Sequence, residues 1–251
     1  MLELNKIYNM DCLDGMKQID DNSIDLVLTD PPYNILNHDT IISSSNKKVI
    51  RNVDFDKEKL DINYIMEEIT RILKDGGTFY IFCSDRQLGD YISQCNNGLK
   101  YSNTLVWYDT QGHPSVRKRA FTNHSQYIAY GHKENNVKYV FNWLGEKKMG
   151  NVIKCTGSTS FEYGKAVRGR VGEWVGHPTQ KPVKLVRRLL KISSNENDIV
   201  CDPFIGSGTT AIACKQTGRR FIGFEIDKNY YDISLQRLLD QPERLDKWID
   251  R

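Results

Sequence analysis

Two separated stretches of the chain repeat one alternation, a short unbroken apolar run followed by a longer run of helical spacing, and this restricts the fold more than any other feature. In the first stretch, IDLVLTD (24–30) and GTFYIFCSD (77–85) flank INYIMEEITRILKDGG (62–77). In that connector Ile62, Ile65, Met66, Ile69, Ile72 and Leu73 recur at helical spacing, and Gly76 and Gly77 supply a stop. In the second, DIVCDPF (198–204) leads through GSGTTAIACKQTG (206–218), a helix-like run closed by Gly218, into RRFIGFEID (219–227). Strands apolar on both faces belong to a parallel sheet covered by helices on both sides, so each stretch reads as a βαβ unit. NTLVWYD (103–109) and SQYIAYG (125–131) are further strand candidates.

The 251 residues suffice for one large domain or a domain with an insert. No apolar run has membrane-spanning length, and the opening MLELNKIYNMDCLDG lacks the order of a signal peptide, so a cytoplasmic location without membrane contact is expected. The six cysteines are never within four residues of one another. They read as reduced packing residues, and no metal is expected.

The net charge of +3 hides an uneven distribution. Sixteen Lys and Arg against four Asp and Glu lie between His113 and Lys191, which leaves the rest of the chain net acidic. Such segregation suggests a surface that faces a polyanion. Residues 145–176 hold seven of the eighteen glycines and show no sustained period, so they read as a functional surface loop or small insert with little core of its own.

Three constellations carry chemistry. Asp30-Pro31-Pro32-Tyr33 falls at the carboxyl end of a predicted strand, where ligands of open α/β sheets bind. Each proline holds its φ at about −65° and restricts the residue before it, so backbone carbonyls are held as aimed acceptors. With the Asp30 carboxylate they suit a donor with two N–H bonds, such as an exocyclic amine, while Tyr33 offers a face for stacking. An aromatic amine is a weak nucleophile, and accepting hydrogen bonds from both N–H bonds frees its lone pair. DPFIGSGTTA (202–211) is a glycine turn between strand and helix, and Glu225 ends the next strand, where an acid can bind a ribose diol. Taken literally, Gly206-x-Gly208-x-x-Ala211 also matches a dinucleotide fingerprint, so an NAD-dependent oxidoreductase stands as a rival from another class. HPTQKP (177–182) opens a helix whose Thr179 and Lys181 suit a carboxylate, with Pro182 at its first position.

Together these motifs resemble the DNA amino-methyltransferases, in the permuted beta class whose catalytic motif precedes the cofactor motif. Asp30-Pro31-Pro32-Tyr33 resembles the family's catalytic tetrapeptide, Phe204-x-Gly206-x-Gly208 its S-adenosylmethionine loop, and His177-x-Thr179-x-Lys181-Pro182 the motif before that loop. MDCLDGM resembles the short N-terminal motif, and RKRAFTNHSQYIAYGHK the strand after the catalytic half. The resemblance implies a Rossmann-like S-adenosylmethionine-dependent methyltransferase fold: α/β, a seven-stranded mixed sheet with helices on both faces, and a small target-recognition insert. It divides the chain into a catalytic half (1–132), the insert (133–176) and a cofactor-binding half (177–251).

The cofactor residues so implied are Asp11, Cys12, Asp30, His177, Thr179, Lys181, Asp202, Phe204, Gly206, Ser207, Gly208, Thr209 and Glu225. A dehydrogenase has no use for Asp-Pro-Pro-Tyr or for the basic region. Attack on cytosine C5 needs a cysteine within a Pro-Cys pair, and none of the six cysteines follows a proline. That leaves adenine N6 and cytosine N4, and in this family Asp at the first motif position favours adenine. The partner is then double-stranded DNA with the target base flipped out of the stack. A cognate restriction endonuclease is compatible with the family, and monomer and homodimer both stay open. Arg117, Lys118, Arg119, Lys147, Lys148, Lys154, Lys165, Arg168 and Arg170 are the DNA-contact candidates, and the segment from 34 to 56 a candidate lid.

Overall fold

The computed structural model describes residues 2–33, 61–96, 98–113, 121–156, 161–162, 165–166 and 180–240. The elements in order are β1 (Lys6–Tyr8), α1 (Cys12–Met16), β2 (Ile24–Thr29), α2 (Ile62–Ile72), β3 (Leu73–Cys83), α3 (Asp85–Gln94), β4 (Leu99–His113) and β5 (Asn123–Lys133). After them come β6 (Val152–Lys154), a small pair β7 (Phe161–Glu162) and β8 (Lys165–Ala166), α4 (Val183–Ser193), β9 (Ile199–Asp202), α5 (Thr209–Thr217), β10 (Arg220–Phe224) and α6 (Lys228–Leu239). Among the described residues no helix is long and apolar enough to cross a membrane.

The main sheet has eight strands in the order β1-β10-β9-β2-β3-β5-β4-β6. Neighbours from β1 to β3 are parallel, β5 runs antiparallel to β3 and to β4, and β6 is parallel to β4. A mixed sheet was expected, but with seven strands. The additional edge strand β6 comes from the aperiodic basic region, where Ile153 is buried between exposed Val152 and Lys154. Three residues of alternating burial are too short a period to read in the sequence.

Alternation of side chains across the sheet explains why its strands are apolar on both faces. Leu26, Leu28, Tyr80, Phe82 and Val200 pack on one face with α4 and α5. Val27, Phe79, Ile81 and Cys201 pack on the other with α1, α2 and Tyr91 of α3. The helix starts are set by side chains: Asp11 caps α1, Asp61 caps α2, Ser84 and Gln87 form a capping box on α3, and Asp227 caps α6. All six cysteines are free thiols, five of them buried.

One boundary differs from the sequence reading. α2 ends at Ile72, and Gly76 and Gly77 lie within β3. Gly76 takes φ +74°, and a Cβ on Gly77 would lie 2.8 Å from the Lys74 carbonyl oxygen. The two glycines thus shape an irregular strand entry, where the register against β2 shifts between Ile24 and Leu26.

The strand order places the two βαβ units side by side. β2 and β9 are adjacent and parallel, with Leu26 opposite Val200 and Val27 opposite Cys201. From β2 the chain continues to β3 on one side, and from β9 to β10 on the other. This is a topological switch point, where loops leaving the strands' carboxyl ends part and open a crevice.

Candidate active site

Asp30, Pro31, Pro32 and Tyr33 leave β2 at that crevice. Pro31 is buried, while the other three are half-buried. The Tyr33 hydroxyl donates to Asp30 Oδ1 at 2.8 Å and lies 3.3 Å from Gln126 Oε1 of β5. Burial first, then the charge of Asp30 and the bond to it, push the Tyr33 hydroxyl well above its ordinary range, so it remains a donor. Gln87 Nε2 donates to the Pro32 carbonyl at 3.2 Å. That carbonyl is therefore turned to the protein.

The other oxygen of Asp30 meets a residue 151 positions away. The Lys181 ammonium forms an ion pair with Asp30 Oδ2, and its side chain is 7% exposed. Its Nζ lies 5.3 Å from the ring centre of Phe82 and 5.5 Å from that of Tyr33. The sequence reading gives Lys181 a cofactor carboxylate, and in the fold its ammonium lies at the Asp30 carboxylate.

At β9 the chain builds a different kind of strand end. Asp202, 4% exposed, accepts from Phe204 N at 3.1 Å and from the Thr210 hydroxyl at 2.5 Å. Burial pushes its carboxyl up to about 7 against the opposing pull of these donors. Gly206 (φ +51°) and Gly208 (φ +79°) make the turn, and Gly208 is the N-cap of α5 with no side chain to offer its amides. A Cβ on Gly208 would stand 3.0 Å from that of Ser234 on α6.

Helix α6 also sends in Arg237, which is buried. It donates to the Ser207 carbonyl at 3.1 Å, the Ser207 hydroxyl at 3.2 Å and the Thr209 hydroxyl at 3.0 Å. Thr209 in turn donates to the Lys181 carbonyl at 3.1 Å. A continuous chain of contacts thus runs from Arg237 through Thr209 and Lys181 to Asp30.

Glu225 follows β10 and is half-buried. Burial raises its carboxyl, opposed by backbone donors of Asp227, Gly206 and Ile226. Asp227 N donates to its Oε1 at 2.8 Å. Asp11 spends Oδ1 on the Leu13 amide at 2.8 Å as the cap of α1. Burial, with the charges of Asp11 and Glu225 behind it, pushes the buried Cys12 thiol up to about 12, which keeps it neutral. Asp11, Cys12 and Glu225 therefore share one neighbourhood beside the glycine turn.

Of the basic candidates, Lys147, Lys148 and Lys154 are exposed on and before the edge strand β6, and Lys165 is in β8. His177, Thr179, Arg117, Lys118, Arg119, Arg168, Arg170 and the candidate lid lie outside the described residues. Gln87, Gln126 and Arg237 were missed by the sequence reading. Ser84-x-x-Gln87 is legible as a capping box, but nothing in it shows that the glutamine also reaches a proline loop. Gln126 and Arg237 sit in ordinary strand and helix patterns and carry no local signal.

A family model described as a DNA methylase, of the N6 and N4 amino-methyltransferase type, matches residues 24–236. The chain belongs to that family. The match begins at β2 and runs into α6, so both strand ends of this DNA methylase fall inside it. The methylase is 30% identical to the Type II methyltransferase M2.MboI of Moraxella bovis, over 92% of this chain and 86% of that protein. It is 32% identical to the Type II methyltransferase M.HpaI of Haemophilus parainfluenzae, over 89% of this chain and 71% of that protein. Among solved structures, the M1.HpyAVI–SAM complex aligns with a TM-score of 0.68 at 26% identity, across 93% of this chain and 99% of that one. The cytosine-N4-specific PvuII DNA methyltransferase aligns with a TM-score of 0.70 at 19% identity, across 94% and 86%, a likeness of fold. Membership in the methylase family sets aside the nicotinamide reading of the glycine turn.

Proposed function

We propose that this DNA methylase transfers the methyl group of S-adenosylmethionine to N6 of adenine in double-stranded DNA, acting on a base flipped into the crevice between the loops after β2 and β9. The observation that carries the reading is the meeting of Asp30 with the glycine turn at one switch point, through Lys181 and Thr209. Asp at the first position of the tetrapeptide supports adenine over cytosine. The residues suit the cofactor: positive-φ glycines permit close approach to the backbone, α5 presents uncapped amides, and Glu225 supplies acceptors for a ribose diol.

S-adenosylmethionine supplies an electrophilic methyl group and a neutral thioether leaving group. Asp30 accepts one amine N–H, and the Pro31 carbonyl, the one that Gln87 does not take, accepts the other. The amine nitrogen then forms the new N–C bond as the S–C bond breaks and its electron pair goes to sulfur. The methylated amine is now cationic, and it releases its surplus proton to water. Asp30 acts by orientation, since a neutral aromatic amine is too weak an acid to be deprotonated first. Tyr33 holds Asp30 through its hydroxyl and offers its ring to the base.

Exposed Lys147, Lys148 and Lys154 are proposed to meet phosphates, with residues 133–176 as the target-recognition insert between the catalytic and cofactor halves. The Type II names of the relatives support a role as the modification partner of a cognate restriction endonuclease. Nucleoside mass spectrometry of DNA from expressing cells tests the reading. N6-methyladenine is expected, and N4-methylcytosine in its place would overturn the choice of base.

A further inference from the structure

Lys181 stands two residues before α4, in the motif whose resemblance points to the cofactor's methionine end. Its ammonium reaches the Asp30 carboxylate. It pairs with Asp30 Oδ2 while the Tyr33 hydroxyl takes Oδ1 at 2.8 Å, so each oxygen of one carboxylate is held by its own donor. A carboxylate has about four lone-pair sites, so each oxygen still has room to accept from an incoming amine. The rings of Phe82 and Tyr33, 5.3 and 5.5 Å from Nζ, flank the ammonium and limit the water that would otherwise screen the pair. At the same residue the main chain is gripped by the cofactor turn. The Lys181 carbonyl accepts from Thr209, the first residue of α5, whose hydroxyl accepts from buried Arg237.

We propose that Lys181 is a positioning residue for Asp30, not a ligand of the cofactor's carboxylate, and that it links the set of the glycine turn to the orientation of the amine-accepting oxygens. The inference rests on the reading of Asp30 as the amine acceptor. A lysine that served the cofactor would govern how tightly the cofactor binds. One that orients Asp30 governs how fast the methyl group moves once everything is bound.

The test uses the full chain with Lys181→Met and Lys181→Arg. Affinity for S-adenosylmethionine and for its decarboxylated analogue is measured by calorimetry, and methyl transfer to DNA is followed in single turnover. Lys181→Met is expected to slow transfer about 100-fold while cofactor affinity stays within about twofold. Lys181→Arg is expected to recover about a tenth or more of the parent rate, because a guanidinium can still hold the carboxylate. A tenfold or greater loss of S-adenosylmethionine affinity in Lys181→Met, with the decarboxylated analogue bound alike by parent and variant, would overturn the proposal. So would near-parental transfer.

A thermal double-mutant cycle of Asp30→Asn with Lys181→Met, or with Lys181→Arg should the first variant not fold, separates this inference from the reading beneath it. Coupling is expected in the cycle whether or not DNA is the substrate, and strictly additive losses would overturn the pairing. A parent enzyme that transfers no methyl to DNA, with the coupling intact, would overturn the reading and leave Lys181 as the partner of Asp30.

Discussion

Beyond β2 the chain stiffens with two prolines and leaves its carboxylate 21% exposed with an ammonium partner, whereas beyond β9 it turns on glycines and buries its carboxylate among its own donors. Asp30 and Asp202 end adjacent parallel strands, yet their surroundings differ in kind. Asp202 is satisfied by Phe204 N and Thr210, both within eight residues of it, and so fixes the shape of one loop. Asp30 is satisfied by Tyr33 on its own loop and by Lys181 from the other half of the chain. A carboxylate that only shapes a turn can be sealed. On the proposed reading Asp30 meets an incoming amine, and such a carboxylate has to be held in place and stay reachable.

The widest separation between the two strand ends should appear on removal of the carboxylates. Asp30→Ala is expected to lower single-turnover methylation by about 10³-fold and to leave S-adenosylmethionine affinity within about threefold. Asp202→Ala should do the reverse, with the cofactor lost before the rate of the bound complex. Equal losses of affinity in both variants, measured by calorimetry, would dissolve the distinction.

A smaller effect is expected at Tyr33. Hydrogen bonds to charged groups are worth about 1.5–3 kcal/mol, so loss of the hydroxyl from Asp30 Oδ1 in Tyr33→Phe should slow transfer by about 10- to 100-fold. Tyr33→Ala loses the ring as well and should be slower still. A Tyr33→Phe enzyme at parental rate would assign the contact to packing alone. On the β9 side, Arg237→Met frees the Ser207 carbonyl and the Thr209 hydroxyl from their buried donor. It should weaken S-adenosylmethionine binding about tenfold, and unchanged binding would remove α6 from the account of the turn.

The smallest effect concerns pH. Burial holds the Asp202 carboxyl at about 7, above its unfolded value, so the folded protein binds the extra proton between the two. This contribution to stability is complete below the unfolded pKa and is lost as pH rises toward 7. The melting temperature of the ligand-free parent should therefore fall from pH 5 to pH 7 by a few degrees more than that of Asp202→Asn. Parallel profiles would contradict it.

How much of this was legible in the sequence also divides along the two strand ends. The glycine turn was readable because its constraint is local: Gly206 and Gly208 adopt positive φ, and Gly218 closes α5 in the left-handed conformation. The Asp30 loop was readable as a proline-braced strand end, since proline acts on its own neighbours. The contacts that hold that loop were not. Lys181, Gln87 and Gln126 reach it from α4's entry, α3 and β5, and no spacing in the chain encodes a meeting across 151 residues. Gly76 and Gly77 mark a failure of another kind. A glycine pair after a helical run signals a stop, but the signal is the same whether the glycines end the helix or open the next strand.

The claim that both strand ends serve one methyl transfer is tested most directly by calorimetry with a bisubstrate ligand that joins adenine N6 to the cofactor's adenosyl moiety. Binding is expected to be at least tenfold tighter than that of the adenosyl half alone, with the gain abolished in Asp30→Ala. A ligand bound no tighter than its adenosyl half, or a gain that survives in Asp30→Ala, would show that the two loops do not close on one reacting pair.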